Sequence, residues 1–372
     1  ASWGLTGATT GVGLYPSYST IGFGNAALGN QYILSAYLSG LGNTDLGWEK
    51  TSMLDFGFDA RLLDNRLGVT FDYYLKNTKD ILIGLPVPLE YGFGKPNVNI
   101  GELQNNGWEV ELSWNDKIGE FRYGIQANLS NNKNEVKDLG GTSPWKDGYT
   151  AEGLAMNSYY GYEALGLFQT EEEVANSPVY SRRYAKPGDV KYKDQNNDGV
   201  IDADDRVVLG DRDPHYLFGV TLNGAWKGFD FSVFLQGVGK RNYILDGPSI
   251  RPLSDQGKGP AFEHQLDYWT EDNRDAKYPR LLEATSSLGF NHMTSDFWMI
   301  NAGYLRLKNL QVGYNFSNDL LKNTGFSNIR LYFSANNLFT ISNFTPGYDP
   351  ETLNAFTYPL SRTYSFGLNL QF

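Results

Sequence analysis

Apolar and polar residues alternate one for one through segments longer than the strands of soluble sheets, and this limits the possible folds more than any other feature. Leu54, Phe56, Phe58, Ala60 and Leu62 alternate with Asp55, Gly57, Asp59 and Arg61. Past Asp64-Asn65, Leu67, Val69, Phe71, Tyr73 and Leu75 alternate with Gly68, Thr70, Asp72, Tyr74 and Lys76. Trp108, Val110, Leu112 and Trp114 are spaced by Gly107, Glu109, Glu111 and Ser113, and Tyr123, Ile125, Ala127 and Leu129 by Gly124, Gln126 and Asn128. The same rhythm predicts strands over 218–226, 229–235, 310–316, 329–335 and 366–372. A period of two puts alternate side chains on opposite faces of a strand. Strands of a soluble sandwich usually run about five or six residues. The runs at 49–62 and 66–79 reach the ~9–11 residues a tilted strand needs to cross the hydrocarbon layer.

The connections sort by length. Short turns are expected near 63–66, 115–120 and 227–228, with a middling one at 317–327. Long excursions cover 9–47, 80–101, 137–212, 241–301 and 341–361, and the two classes alternate along the chain. Outer-membrane barrels have short periplasmic turns and long extracellular loops, whereas a sandwich has no reason to sort its loops this way. The expected fold is therefore all-β, an antiparallel transmembrane β-barrel. It would have about ten spanning strands, or about twelve if 159–168 and the stretch near Val190 form a further pair. Parity carries the last strand toward the periplasm. It ends Phe366, Leu368, Leu370, Phe372, like the signal by which such barrels are recognised for assembly. An open sheet cannot sit in lipid, and Ala1-Ser2-Trp3-Gly4-Leu5 reads as mid-strand. The expectation is thus a C-terminal barrel portion, completed by strands outside this sequence.

Composition removes several alternatives. No apolar run approaches the ~18 residues of a membrane helix, and mean hydropathy is −0.42. A net charge of −11 argues against a nucleic-acid partner, whose phosphates need basic neutralisation. Without cysteine there are no disulfides, thiolate metal sites or cysteine nucleophiles. The three histidines, His215, His264 and His292, are scattered, and no H-E-x-x-H, G-x-S-x-G or phosphate-binding loop occurs, so no enzyme is expected. An aromatic content of 15% also suits a soluble carbohydrate-binding sandwich, one alternative; a passive porin is the other.

Several stretches resemble the SusC/RagA-like TonB-dependent transporters of Bacteroidetes outer membranes. They are Leu41-Gly-Asn-Thr-Asp-Leu-Gly-Trp-Glu-Lys-Thr51, Tyr159-Tyr-Gly-Tyr-Glu-Ala-Leu-Gly-Leu-Phe-Gln169, Pro187-Gly-Asp-Val-Lys-Tyr-Lys-Asp-Gln-Asn-Asn-Asp-Gly199, Tyr304-Leu-Arg-Leu-Lys-Asn-Leu310, Asn336-Asn-Leu-Phe-Thr340 and the ending Tyr364–Phe372. The resemblance implies a barrel of about 22 strands around an N-terminal plug, driven by the TonB complex and capped by a SusD-like surface lipoprotein. It also implies uptake of a bulky oligosaccharide or peptide. The plug and the TonB-interacting segment have no counterpart in this sequence.

Two candidate sites lie in the long excursions. Asp194, Asn196, Asp198, the Val200 carbonyl, Asp202 and Asp205 occupy positions 1, 3, 5, 7, 9 and 12 of an EF-hand-like loop, with Gly199 at the bend. That spacing suits Ca²⁺ with a structural role, although position 12 carries Asp where Glu is usual. The competing reading is an Asx-rich turn that binds nothing. Trp145, Tyr159, Tyr160, Tyr268, Trp269 and Trp298 are candidate substrate-stacking rings, or else packing between loops. The strand aromatics Tyr73, Trp108, Trp114 and Trp226 fit a lipid-facing or interfacial girdle.

Overall fold

The computed structural model describes all residues except 9–14, 86, 89, 91, 93–94, 143, 145–148, 181–183, 253–258, 283–289, 323–324, 345–347, 354–356 and 359. In chain order come β1 (Ser2–Ala8), β2 (Thr20–Leu28), β3 (Gln31–Gly40), β4 (Glu49–Leu62), β5 (Leu67–Gly84), β6 (Asn97–Ile118) and β7 (Phe121–Asp138). A long connection follows with short elements β8 (Tyr159–Tyr162), β9 (Ala164–Leu167), α1 (Glu171–Ala175), β10 (Val179–Tyr180), β11 (Val190–Tyr192), β12 (Val200–Ile201) and β13 (Arg206–Gly210). Then come β14 (His215–Trp226), β15 (Phe229–Lys240), β16 (Asn242–Ile244), β17 (Met299–Asn301) and β18 (Tyr304–Asn315). The chain finishes with α2 (Asn318–Leu321), β19 (Asn328–Asn336), β20 (Thr340–Ser342) and β21 (Thr363–Gln371).

The main sheet runs β1-β4-β5-β6-β7-β14-β15-β18-β19-β21, with β20 added beside β18. Ten strands therefore form its path. The segments at 159–168 and Val190 do pair, Val190 opposite Leu167, but in a small sheet of their own. They add no strand to the wall. The main strands are longer than the alternation suggested: β5 has 18 residues and β6 has 22, which shrinks the excursion expected at 80–101 to 85–96. Strand β18 begins at Tyr304, six residues before its expected start at Leu310. The excursion at 9–47 contains the hairpin β2–β3, where the alternation predicts no strand.

The tight turns follow from local chemistry. Lys227 and Gly228 both take positive φ, 47° and 89°, as a two-residue turn matched to strand twist requires. Asp64 and Asn65 (φ 59° and 65°) are residues that tolerate the left-handed region, and Arg66 bonds across the turn to the Leu63 carbonyl and to Asp116.

Contacts divide the chain into two compact units. The first (1–58, 71–108, 132–157) holds β1 on β4, the β2–β3 hairpin and a small apolar cluster of Ile83, Val136 and Leu139. The second (59–70, 109–131, 158–372) holds the run from β14 to β21 and two buried clusters built from the long connections.

Register decides which side chains share a face. Within the second unit Leu331 lies opposite Leu368 and Tyr314, while Ser334 lies opposite Ser365 and Gln311. The apolar face is bare: Phe366 is 85% exposed, Leu368 54% and Leu331 47%. In the first unit Phe56 and Phe58 are likewise exposed. None of the three buried clusters contains a residue of the alternating rows at 54–62, 67–75, 108–114 or 123–129. In a sandwich those rows would be the core. The sandwich alternative fails on this observation, since water-soluble monomers rarely expose contiguous apolar surface of this extent.

Candidate functional site

Three regions of the second unit carry chemistry: the polar face of the sheet, the core of the long connections, and the acidic loop. The polar face holds paired charges. The Arg330 guanidinium donates to both carboxylate oxygens of Asp230, at 2.5 and 3.0 Å, and Asn315 donates to the same carboxylate at 2.8 Å. Arg306 is 2% exposed and donates to Thr340 Oγ1, Asp349 and Glu351, while Lys308 also reaches Glu351. A planar fork suits two carboxylates and a hydroxyl at once, so Arg306 ties the stretch at 349–351 to β18 and β20. A cavity of about 900 Å³ opens beside the short turns, lined by Asp64, Arg66, Asp116, Arg122, Asn223 and Asp230 among others. Its charged lining suits a polar, water-filled interior.

The two longest connections share one core. Phe168, Tyr180, Val190, Tyr192, Ile201 and Phe290 form a buried cluster. Here the Tyr192 hydroxyl donates to the Phe290 carbonyl, while the Tyr180 hydroxyl donates to the Val190 carbonyl and accepts from the Tyr192 N–H. Burial holds both phenols above the ordinary tyrosine range. Asp189 is fully buried and accepts from Arg280 Nε at 2.6 Å, Arg280 Nη2 at 3.2 Å, Asn291 Nδ2 and the Lys186 N–H. Asn291 in turn accepts from the Val190 N–H. Asp189 and Val190 are therefore tied to Arg280 and to Asn291.

This core absorbs several of the candidate rings. Trp269 (7% exposed) donates from its indole to Gln169, and Trp298 (2%) donates to the Asn291 carbonyl. Tyr159 is buried beneath the Arg212 guanidinium, 4.5 Å from its ring centroid. These three are spent on packing between connections. Tyr160 lies under Arg206, and Tyr268 is half-buried beside Arg251, Gln265 and Tyr278. Trp145 lies outside the described residues.

The acidic loop is a scaffold of capped turns. Asp194 accepts from the N–H groups of Asn197 and Gly199, Asn196 from Asp198, and Asp198 from Val200. Asp202 accepts from Asp204, and buried Asp205 accepts from Gln195 and Asp202. Gly199 takes the left-handed conformation at φ 85°, as the bend requires. Among the described residues no group of three or more acidic or histidine side chains converges as metal ligands. Each carboxylate oxygen keeps a second lone pair after accepting one N–H, and buried Asp205 turns its carboxylate onto the backbone of the loop itself.

Two of the histidines hold structure together: His215 bridges Asn131 and Asp211, and His264 bonds the Ser249 carbonyl. Phe366, Leu368 and Leu370 stand exposed on one face of the last strand, and Phe372, just past its end, is exposed as well. Sequence reasoning missed Arg306, Asp230, Arg330, Asp189 and Arg280, whose opposite-charge partners are 43 to 100 positions away. The only local hint was charge inside otherwise apolar strands, as in Tyr304-Leu-Arg-Leu-Lys.

Comparison with known proteins agrees with this geometry. The family model described as TonB dependent receptor-like, beta-barrel matches residues 4–338. TonB-dependent receptor P3 of Formosa agariphila is 31% identical, over 100% of this chain and 39% of its own length. TonB-dependent receptor SusC of Bacteroides thetaiotaomicron is 28% identical over 89% of this chain and 32% of its own length. The solved structure of the RagAB peptide importer in its open-open state superposes with a TM-score of 0.76 at 25% identity, covering 100% of this chain and 39% of that one. The chain thus spans about two fifths of the length of these relatives.

Proposed function

The chain belongs to the TonB dependent receptor-like β-barrel family, and from that premise we propose that it supplies ten or more strands of an outer-membrane barrel that imports a bulky oligosaccharide or peptide. The observation that carries this reading is the bare apolar face of the sheet opposite an ion-paired polar one. Such a wall suits lipid outside and an aqueous interior within. The long connections then face the cell exterior and frame the entrance, where a SusD-like lipoprotein closes over them. Energy reaches the barrel through a TonB-interacting segment outside this sequence.

The reading has a direct test. Cells lacking the protein should lose growth on dilute oligomers yet keep growth on the corresponding monomers. A protonophore should abolish uptake, because TonB coupling draws on the inner-membrane gradient. Uptake indifferent to the protonophore would favour a passive porin. Release of the protein by a carbonate wash, without detergent, would remove it from the membrane altogether.

We also propose that the 194–205 loop takes one Ca²⁺ that stiffens the connection. Support comes from the ligand spacing and the turn at Gly199. Calorimetric titration of the folded protein with CaCl₂ should give a single site that Asp194→Ala and Asp198→Ala remove. Absence of heat in the parent protein withdraws the ion.

A further inference from the structure

Arg251, in the long connections of the second unit, is half-buried and has no counter-charge. Its Nε–H is buried without an acceptor, and among the described residues no hydrogen bond or ion pair reaches its terminal nitrogens. Guanidiniums taken out of water are ordinarily paired, as those of Arg280, Arg306 and Arg330 are. Acidic side chains outnumber basic ones by 42 to 31, so a shortage of carboxylates does not explain the exception.

The side chain lines a narrow cleft with Gln265, Tyr268, Tyr278 and Arg280, between Pro252 and Pro279. Arg280 spends Nε and Nη2 on Asp189, which leaves Nη1 as a further donor. Two guanidiniums thus share one carboxylate, because Asp267, the chain neighbour of Tyr268, accepts instead from Asn273. The cleft holds about 20 Å³, room for one water-sized group. An oxygen of a carboxylate or sulfate enters such a space, and a sugar ring stays at its mouth. There Tyr268 is half-buried, and no aromatic ring or cation among the described residues covers its face. Partners for a peptide backbone are scarce. Gln265 already donates to the Pro248 carbonyl and accepts from the Phe262 N–H, and the two prolines have no N–H to give. What remains is an open ring beside uncompensated positive charge.

We propose that this cleft is an anion subsite on the import route: Arg251, with the free edge of Arg280, takes a carboxylate or sulfate borne by an oligosaccharide, and Tyr268 stacks on the sugar that carries it. A planar guanidinium offers parallel donors to either oxyanion, and an aromatic face suits the flat side of a pyranose. Ring and charge then read a single sugar residue. A neutral analogue leaves the Arg251 donors unpaired, and a site built to hydrogen-bond one group rejects the analogue that lacks it. This inference rests on the import reading above and narrows its substrate to anionic sugars, and its test separates the two.

The test titrates the detergent-solubilised protein with two matched pairs of probes: oligogalacturonate and its methyl ester, and sulfated galactan oligomers and their desulfated form. At least one charged probe should bind about tenfold tighter than its neutralised twin, the size of one charge-assisted contact, and the pair that responds tells carboxylate from sulfate. Arg251→Gln loses no bond to the protein, and should bring the charged probe down to its twin. Arg251→Lys keeps the charge without the fork and should recover part of the preference, which a purely structural role for Arg251 would not produce. Tyr268→Ala should weaken both members of the responding pair, and Tyr268→Phe neither. Arg241→Gln, at another buried Nε–H without an acceptor, should change nothing. Twins that bind alike or not at all in both pairs, or a preference that survives Arg251→Gln, overturn the proposal. So does triglutamate binding tighter than every sugar probe, which would assign the cleft to acidic peptides. A negative titration beside protonophore-sensitive uptake of neutral oligomers removes the subsite and leaves the importer. A positive one beside uptake indifferent to the protonophore does the reverse.

Discussion

Asp189→Ala should loosen the core of the long connections by about 3–5 kcal/mol, the usual cost of removing one partner from a buried ion pair. The carboxylate is fully buried and satisfies four donors: two from Arg280, one from Asn291 and the Lys186 N–H. Deleting it leaves a guanidinium and an amide facing a cavity. Because the Arg280 side chain is 22% exposed, it can turn partly to water, which pulls the cost toward the lower figure. Hydrogen exchange should rise across 186–192 and 290–298, while β14, β15 and β19 stay protected. Asp189→Asn, which keeps the volume and one acceptor, should do less. Adding Arg280→Ala to Asp189→Ala should recover part of the loss, because the stranded charge goes with it. Unchanged exchange in both segments would mean that the contacts of Asp189 do not hold the connections together.

The contrast between Asp189 and the strands explains what could be read from the sequence and what could not. Alternation is a local property: Leu54-Asp-Phe-Gly-Phe declares its two faces without reference to any partner. The long strands and the length-sorted turns at 63–66 and 227–228 were legible for that reason. Extensions such as 80–84 and 97–101 were not, because Lys79-Asp-Ile-Leu-Ile-Gly breaks the rhythm while the backbone ladder continues. The β2–β3 hairpin was hidden by glycine and alanine, which stand on neither side of a hydropathy pattern. The loop core was opaque because it depends on partners such as Asp189 and Arg280, 91 positions apart. Trp269 and Trp298 illustrate the same point. A loop tryptophan is equally compatible with a sugar-stacking face and with a packed core, and only the tertiary neighbours of these two decide for the core.

Leu331→Arg carries the second large effect and bears on the physical premise beneath the function. Leu331 sits three residues into β19, roughly 10 Å from its short-turn end at ~3.3 Å per residue, on the apolar face beside Leu368 and Tyr314. An arginine near the middle of the hydrocarbon costs a transmembrane barrel about 2–4 kcal/mol, falling to about 0–1 near the interface. Leu331→Arg should therefore lower the unfolding midpoint in lipid vesicles sharply, and Leu370→Arg, two residues from the end of the chain, much less. Ser334→Arg adds the same side chain on the polar face, opposite Ser365 and Gln311, and should cost little because a water-filled interior hydrates it. Were the Leu331 face bathed in water, a bare leucine exchanged for arginine would shift stability by no more than about 0.5 kcal/mol. The difference between Leu331→Arg and Ser334→Arg in one vesicle preparation thus measures which solvent each face meets. Equal, small effects at both positions would leave the apolar face without lipid, and the proposed import function without a wall to cross.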